Sequence, residues 1–353
     1  MAAALLKISG RLLCYISESI LHKSRKVKKL IENFIDILEK FSTEKYVVKL
    51  SIYDIIVKKK ITELYMSGKK KKIIYSLAAV VLVLGKLTGW TLWGNTALMV
   101  NTYEIKSDKL PEAFDGFRIA QISDLHNAVF GEGNKELIEL LQKTEPDIIA
   151  ITGDMIDGEK TDIGVALAFA EEAMKIAPCY YVAGNHEWKI DNYNELFTGL
   201  EKLGVLLLND GRTEIEKGGE KITVLGVDDP YFHTNTESGT DREPGIVDSE
   251  LQGLMSEVKG YSILLSHRPE LFDIYVKNDI DLVLSVHAHG GQFRLPFMGG
   301  IIAPHQGFFP EYDAGLFTED GTNLIISRGI GNSVIPLRFN NRPEIVVAEL
   351  VAE

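Results

Sequence analysis

From about Tyr103 onward, short apolar runs alternate with stretches whose apolar residues recur every three or four positions, as expected of a layered α/β domain. The runs predict strands at 117–122, 148–152, 179–183, 205–208, 222–226, 262–266, 281–285, 323–327 and 345–351. The helical pattern predicts helices at 134–143, 163–175 and 193–203. No internal repeat or low-complexity tract interrupts this alternation. The segment 286–315 is rich in Gly, Pro and Phe and reads as one long ordered loop. Loops of that length usually carry function.

Upstream the pattern is different. Directly after Lys69-Lys70-Lys71-Lys72 runs the apolar segment 73–100, whose first 13 residues are uncharged and whose one charge is Lys86. A bilayer span needs roughly 20 mostly apolar residues, so this segment predicts a transmembrane signal anchor rather than a buried core helix with a basic start. Trp90 and Trp93 stand where interfacial aromatics are expected, and Lys86 is near enough to that end to snorkel. The four lysines predict a single-pass protein of the cell membrane, its N-terminus cytoplasmic and everything after the span extracytoplasmic. No A-x-A site closes the apolar run, which argues against a cleaved signal peptide.

Residues 1–72 read as a basic, helical N-terminal segment by the same criteria: Val27, Leu30, Ile31, Phe34, Ile35, Leu38 and Phe41 recur at helical spacing among lysines. Two placements fit, on the inner membrane face or packed in a helical hairpin. A translational reading is also open. Met66-Ser67-Gly68 ahead of four lysines is an ordinary start for a signal anchor, which would make residues 1–65 a misassigned extension.

Composition and charge sharpen this division. The chain has 353 residues, 45% hydrophobic and 25% charged, enough to bury a core and too apolar for disorder. Its net charge of −12 divides into +10 over residues 1–72, with 17 Lys and Arg against 7 Asp and Glu, and −22 over the remainder. A domain that acidic is a poor nucleic-acid binder, so no such partner is expected. Cys14 and Cys179 are too few for a disulfide framework or a cysteine-built zinc site.

Candidate chemistry sits at the strand ends. Ser123-Asp124-Leu125-His126 follows the first predicted strand, Gly153-Asp154-Met155-Ile156-Asp157-Gly158 the second, and Gly184-Asn185-His186-Glu187 the third. The steps of 30 residues from Asp124 to Asp154 and 32 from Asp154 to His186 are each one strand-plus-helix unit. The three motifs should therefore emerge side by side on the carboxyl edge of one sheet. Further on, His267 ends a strand and His287-Ala288-His289 follows another. Singly, each is a common turn or a buried histidine; an H-x-H on extended chain can address adjacent metals, and the ordered set is far more specific. Asp, His and Asn without a thiolate suit a pair of Mn, Fe or Zn ions, which together can clamp a phosphoryl group.

These motifs resemble the calcineurin-like metallophosphoesterase superfamily, and within it the bacterial membrane-anchored, phosphodiesterase-type enzymes. The resemblance covers roughly residues 103–353. It includes LPEAFDGFRIAQISDLHN, DIIAITGDMIDG, YYVAGNHE, LLSHRPELFD, HAHGGQFRLPFMGGIIAPHQGFFP and SRGIGNSVIPLRFNNRPEI. It implies a four-layer α/β/β/α sandwich of two mixed sheets. One divalent metal ion would be held by Asp124, His126, Asp154 and His289, and a second by Asp154, Asn185, His267 and His287. A hydroxide between the metals would attack phosphorus, and His186 would serve the leaving group as the catalytic residue. Asp157 and Glu187 would orient ligands rather than bind metal. Arg268 is open between a substrate phosphate and a structural ion pair.

In one place the chain departs from the family. The residue before H-x-H is usually Gly and is here Val286, which would be strained if a positive φ is required and costs little if the backbone is extended. Phe308, Phe309, Tyr312 and Phe317 read as staples of the long loop, with an apolar substrate pocket as the alternative. His233 and His305 stand in no usable motif. The implied activity is hydrolysis of phosphodiester or pyrophosphate bonds, with a lipid-linked or cell-envelope phosphate ester as the expected substrate class. The competing class is a binding scaffold of the same fold that has lost catalysis. Such scaffolds lose ligands, whereas all seven ligand positions and His186 are filled here. A phosphoprotein phosphatase is less supported, since that branch's signatures are absent.

Overall fold

The computed structural model describes residues 68–234, 242–332 and 335–353. The expected amphipathic helix at 27–41 and the start at Met66 lie outside the described residues. The described chain divides near Trp93 into two units.

The first unit is the helix Gly68–Gly94, in which Tyr75–Gly94 forms an apolar run of 20 residues with mean hydropathy 1.5. That is long and apolar enough to cross a membrane. Tyr75, Leu77, Val80, Val83, Leu84, Leu87 and Trp90 are exposed, which a helix of a packed soluble core would not tolerate. The expected segment ran to residue 100, but Met99 and Val100 belong to the following strand.

The second unit contains two six-stranded mixed sheets, with strands numbered in chain order. The first has the spatial order β1 (Met99–Ser107), β16 (Glu344–Ala352), β2 (Arg118–Ile122), β3 (Ile148–Ile151), β4 (Cys179–Tyr181) and β5 (Leu206–Leu207). All its pairings are parallel except β16 with β2. The second has the order β14 (Gly315–Glu319), β15 (Thr322–Ile326), β9 (Leu282–Ser285), β8 (Ser262–Ser266), β7 (Glu220–Val227) and β6 (Gly211–Lys217). Its four central strands are parallel and its two edge strands antiparallel.

The pleat sorts each strand's side chains into layers. Ile119, Ile148 and Ala150 from the first sheet meet Val224, Ile263, Leu265, Leu282 and Leu284 from the second in one buried cluster between the sheets. The alternate residues Ala120, Ile122, Ile149 and Ile151 pack outward with the helices Lys135–Gln142, Ile163–Met174 and Tyr193–Leu203. Leu225, Leu264 and Val283 do the same with the helices Glu243–Met255 and Phe272–Lys277. The result is the expected four-layer α/β/β/α sandwich of two mixed sheets.

All nine expected strands and three expected helices form, with ends shifted by at most two residues. The structure adds β1, β6, β14 and the helices Glu243–Met255 and Phe272–Lys277. The segment 286–315 is not one loop. It holds two short antiparallel ribbons, β10–β11 (Arg294–Leu295 with Gly299–Gly300) and β12–β13 (Ile302–Ala303 with Gly307–Phe308).

Candidate metal centre

Parallel strands deliver their carboxyl ends to one edge, and here both sheets do so at the same place. The loops leaving β2, β3 and β4 carry Asp124, Asp154 and Asn185; those leaving β8 and β9 carry His267 and His287. All seven candidate ligands and His186 are buried at the edge thus formed.

Around His267 four groups converge. Its Nε2 lies 3.2 Å from Asn185 Oδ1, 3.3 Å from Asp154 Oδ2 and 3.1 Å from His287 Nδ1. Its Nδ1 donates to the carbonyl of Thr152 at 2.9 Å, so Nε2 is the nitrogen turned to these groups. Burial opposes its protonation, yet the Asp154 carboxylate pushes the imidazole up to about 10, so a bound cation would displace the Nε2 proton. A second convergence centres on Asp124 and His126. Asp124 Oδ2 is 3.4 Å from His289 Nδ1, and His126 Nε2 is 4.0 Å from Asp124 Oδ1 and 3.6 Å from Asp154 Oδ2. Asp154 Oδ2 thus faces both groups, while its Oδ1 accepts from the amide of His186 at 2.8 Å. Ligand atoms roughly 2.0–2.2 Å from one central ion are separated from each other by about this much.

The donor set fits divalent cations on a second ground. Both carboxylate oxygens of Asp124 and both ring nitrogens of His126 are buried without a hydrogen-bond partner. Leaving such groups unpaired costs about 1–3 kcal/mol each, more for a charged one, and a cation removes that cost. Burial pulls the His126 imidazole down to about 3 and holds those of His287 and His289 well below the usual range. All three are therefore neutral at pH 7, the form that ligates metal. Burial opposes ionisation of Asp154, yet His267 and His186 hold its carboxyl well below the ordinary range. Burial, then the carboxylate of Asp154, pushes Asp124 the other way.

The loops carrying these ligands are tightly bent. Asp124 (φ 48°), His126 (φ 44°), Asp154 (φ 52°), His287 (φ 61°) and His289 (φ 47°) all adopt the left-handed region, which costs L residues about 1–2 kcal/mol each. Strain of this kind gathers at functional sites. Val286 is not among the positive-φ residues and its side chain is fully buried, so the valine before H-x-H carries no left-handed strain. Gly153 does need its lack of a side chain: at φ 94° a Cβ there would sit 2.5 Å from the Gly184 amide nitrogen.

The neighbouring residues divide by what they touch. Glu187, fully buried, accepts from the amides of Asp154 (2.9 Å), Met155 (2.8 Å) and Gly184 (2.8 Å), clamping two ligand loops to each other. Asp157 accepts from the amides of Glu159 (2.8 Å) and Lys160 (3.0 Å), fixing its own turn. That turn presents the Gly158 amide to His186 Nδ1 at 2.9 Å. Nδ1 is thereby the acceptor, which leaves Nε2 to carry the ring proton. The ring lies 4.5 Å from that of His126. Arg268 is buried on Asp229, with Nη2 3.0 Å from Oδ1 and Nη1 3.2 Å from Glu270 Oε1, and its cation sits 4.6 Å over the Tyr231 ring.

Sequence reasoning passed over His305. Its Nδ1 is 2.9 Å from His287 Nε2 and 2.7 Å from Arg268 Nη1, its Nε2 is 2.8 Å from the Tyr231 hydroxyl, and its ring stacks on His287 at 5.0 Å. It stands in the 286–315 segment without a spacing rule to other ligands, so only the length of that segment pointed to it. His233 lies apart from this group, 3.1 Å from Asp210 Oδ2 and 3.2 Å from Glu250 Oε1. Of the four aromatics expected to staple the loop, Tyr312 does so against Phe272 and Phe317. Phe308 and Phe309 are exposed, and that expectation is corrected for them.

Comparison with known proteins agrees with this geometry. A family model described as calcineurin-like phosphoesterase matches residues 117–291. The metallophosphoesterase YkuE of Bacillus subtilis is 32% identical over 286 residues, covering 78% of this chain and 93% of its own. The chain belongs to the calcineurin-like metallophosphoesterases. Other metallophosphoesterase relatives include the phosphodiesterase YaeI of Escherichia coli, 27% identical over 67% of this chain and 82% of its own. A transmembrane protein with metallophosphoesterase domain from Danio rerio is 29% identical over 69% of this chain and 55% of its own. This metallophosphoesterase is a phosphoric ester hydrolase, and its apolar helix fits a membrane anchor.

Proposed function

We propose that this chain is a membrane-anchored phosphodiesterase with a two-cation centre, acting outside the cytoplasm on phosphodiester or pyrophosphate bonds. The observation that carries this reading is the position of Asp154 Oδ2, 3.6 Å from His126 Nε2 and 3.3 Å from His267 Nε2. One oxygen thus belongs to two ligand groups. Asp124, His126, Asp154 and His289 would hold one cation, and Asp154, Asn185, His267 and His287 the other. Such a pair supplies Lewis acidity toward a phosphoryl oxygen and a water acidified to near neutral pH.

The protein's own groups do the rest. His126, His287 and His289 stay neutral and bind. The Thr152 carbonyl orients His267, and Glu187 holds the Asp154 and Asn185 loops in register. His186, with its proton on Nε2, donates to the leaving oxygen as the ester bond breaks. Arg268 braces His305 and the second ligand group through its ion pair with Asp229, rather than meeting substrate.

The relative YaeI, a phosphodiesterase, supports a diester over a monoester. The span Tyr75–Gly94, with four lysines before it, supports an N-terminus inside and the catalytic unit outside, facing lipid-linked or envelope phosphates. The test is hydrolysis of bis-p-nitrophenyl phosphate by the full chain in detergent, with and without Mn²⁺, beside Asp154→Ala. Metal-dependent turnover lost in Asp154→Ala is the expected result. A wild-type chain that binds no divalent metal and hydrolyses no ester would instead be a scaffold of this fold.

A further inference from the structure

The stretch Leu295–Pro310 contains sixteen consecutive residues without a single Asp, Glu, Lys or Arg, in a region of the chain whose net charge is strongly negative. Apart from the buried Gly300 and Ala303, it lies at or near the surface. Phe297 is fully exposed, and Met298 (60%), Phe308 (74%) and Phe309 (59%) are largely so. Phe297 (φ 69°) and Phe309 (φ 57°) also occupy the left-handed region, an outlier conformation for bulky side chains that glycine would adopt without strain. Large aromatics held outward in a costly backbone, on an uncharged surface, need an apolar surrounding.

Connectivity identifies that surrounding. The chain leaves its apolar helix at Gly94, and the next residues are sewn to the segment 338–343. Asn95 exchanges two hydrogen bonds with the Arg338 backbone (2.7 and 2.8 Å), Arg342 Nε donates to Ala97 O at 2.7 Å, and the Met99 amide donates to Pro343 O at 3.0 Å. The same segment holds the first ribbon, with the Arg294 amide on Phe339 O at 2.9 Å. It also holds a metal-ligand loop, with Asn341 Nδ2 on His289 O at 2.7 Å. From Arg294 to Phe297 the chain extends at most ~10–11 Å. The second ribbon is attached just as closely: the Ile301 amide donates to Gly291 O (3.1 Å), and the Phe309 amide to Ile301 O (2.8 Å). The residues that directly follow the apolar helix, the exposed aromatics and the ligand loop are therefore all fastened to one another over a few hydrogen bonds.

We propose that Phe297, Met298, Phe308 and Phe309 insert into the interfacial layer of the bilayer from which the chain emerges, presenting the metal centre to phosphoesters carried by lipids. The insertion itself stands on the exposure and connectivity; the choice of substrate rests on the hydrolase reading above. With no charge in the stretch, insertion is apolar, and neither salt nor the anionic lipid fraction governs it. Arg294, at its border, is already paired with Asp313 at 3.0 Å.

The test places the full chain, with Cys14→Ser, in phosphatidylcholine nanodiscs. An environment-sensitive fluorophore is attached to Phe297→Cys or Phe309→Cys, with Leu206→Cys, exposed on β5, as reference. Expected is at least threefold quenching by nitroxide-labelled lipid at positions 297 and 309 and none at 206. Quenching at 297 and 309 no greater than at 206 overturns insertion. So does a shielded but unquenched label, which would mean a protein partner or a second copy on this face. A second arm compares Phe297→Ser/Phe309→Ser with wild type on soluble bis-p-nitrophenyl phosphate and on a dialkyl nitrophenyl phosphate embedded in the disc. Unchanged turnover of the first with a tenfold or greater loss on the second is expected; equal turnover of both esters overturns the presentation of lipid substrate. If wild type hydrolyses neither ester while quenching persists, the hydrolase reading falls and insertion stands.

Discussion

Replacing Glu187 by Ala should unfasten the metal centre without touching a ligand. The Glu187 carboxylate accepts three amides at 2.8–2.9 Å, two from the Asp154 loop and one from Gly184 before Asn185. Alanine leaves three buried N–H groups unpaired, at about 1–3 kcal/mol each. Water entering the space recovers part of this, while removal of a buried carboxylate whose pKa burial has pushed up to about 7 returns some desolvation cost. The net loss worked from these opposing effects is about 3–5 kcal/mol. For a unit of this size that lowers Tm by roughly 6–15 °C. Because Asp154 and Asn185 are both held through this clamp, bound metal per chain should fall with it. Thermal unfolding followed by circular dichroism, together with metal content by mass spectrometry, reads both effects. An unchanged Tm with full metal content in Glu187→Ala would refute the reasoning.

Two further outcomes follow from the same geometry. Val286→Gly should bring no gain in activity and a loss of stability of about 1–3 kcal/mol, because it deletes a fully buried side chain at a position that requires no positive φ; equilibrium denaturation and turnover measured side by side check it. Burial pushes the Asp228 carboxyl up to about 8. Between pH 4 and 8 the folded chain therefore holds a proton there that the unfolded chain has released, and this group makes stability fall as pH rises through that window. Asp228→Asn should flatten that slope, as a series of denaturation midpoints across the window would reveal.

The inner strands and the convergence of the candidate ligands were legible because both obey short-range rules. Buried parallel strands such as Ile148–Ile151 are nearly continuous apolar runs, and Asp124, Asp154 and His186 recur at the length of a strand plus a helix. What escaped obeys longer-range ones. β6 and β14 are edge strands of mixed burial that look like polar turns, and the helix Glu243–Met255 begins with Pro244 and Gly245 and buries few residues. β1 is half-exposed and follows the apolar segment so closely that its first residues were assigned to the span. His305 reaches the site only because the ribbons fold its segment back over His287, a contact that no local spacing encodes.

The register of β1 sets the order in which this protein can be completed. Among the described residues β1 pairs only with β16, Met99 beside Glu344 through Ser107 beside Ala352, and β16 in turn lies between β1 and β2. The first strand of the domain to leave the ribosome therefore waits for β16, and the loop between them must close before β1 gains a neighbour. Until then β2 is an open sheet edge, and unpaired edges are templates for pairing with other chains. Tethering the growing chain at the membrane through the helix before β1 keeps one end fixed during that interval. Any truncation that removes β16 should leave β1 without a partner and β2 permanently open as the edge of the first sheet.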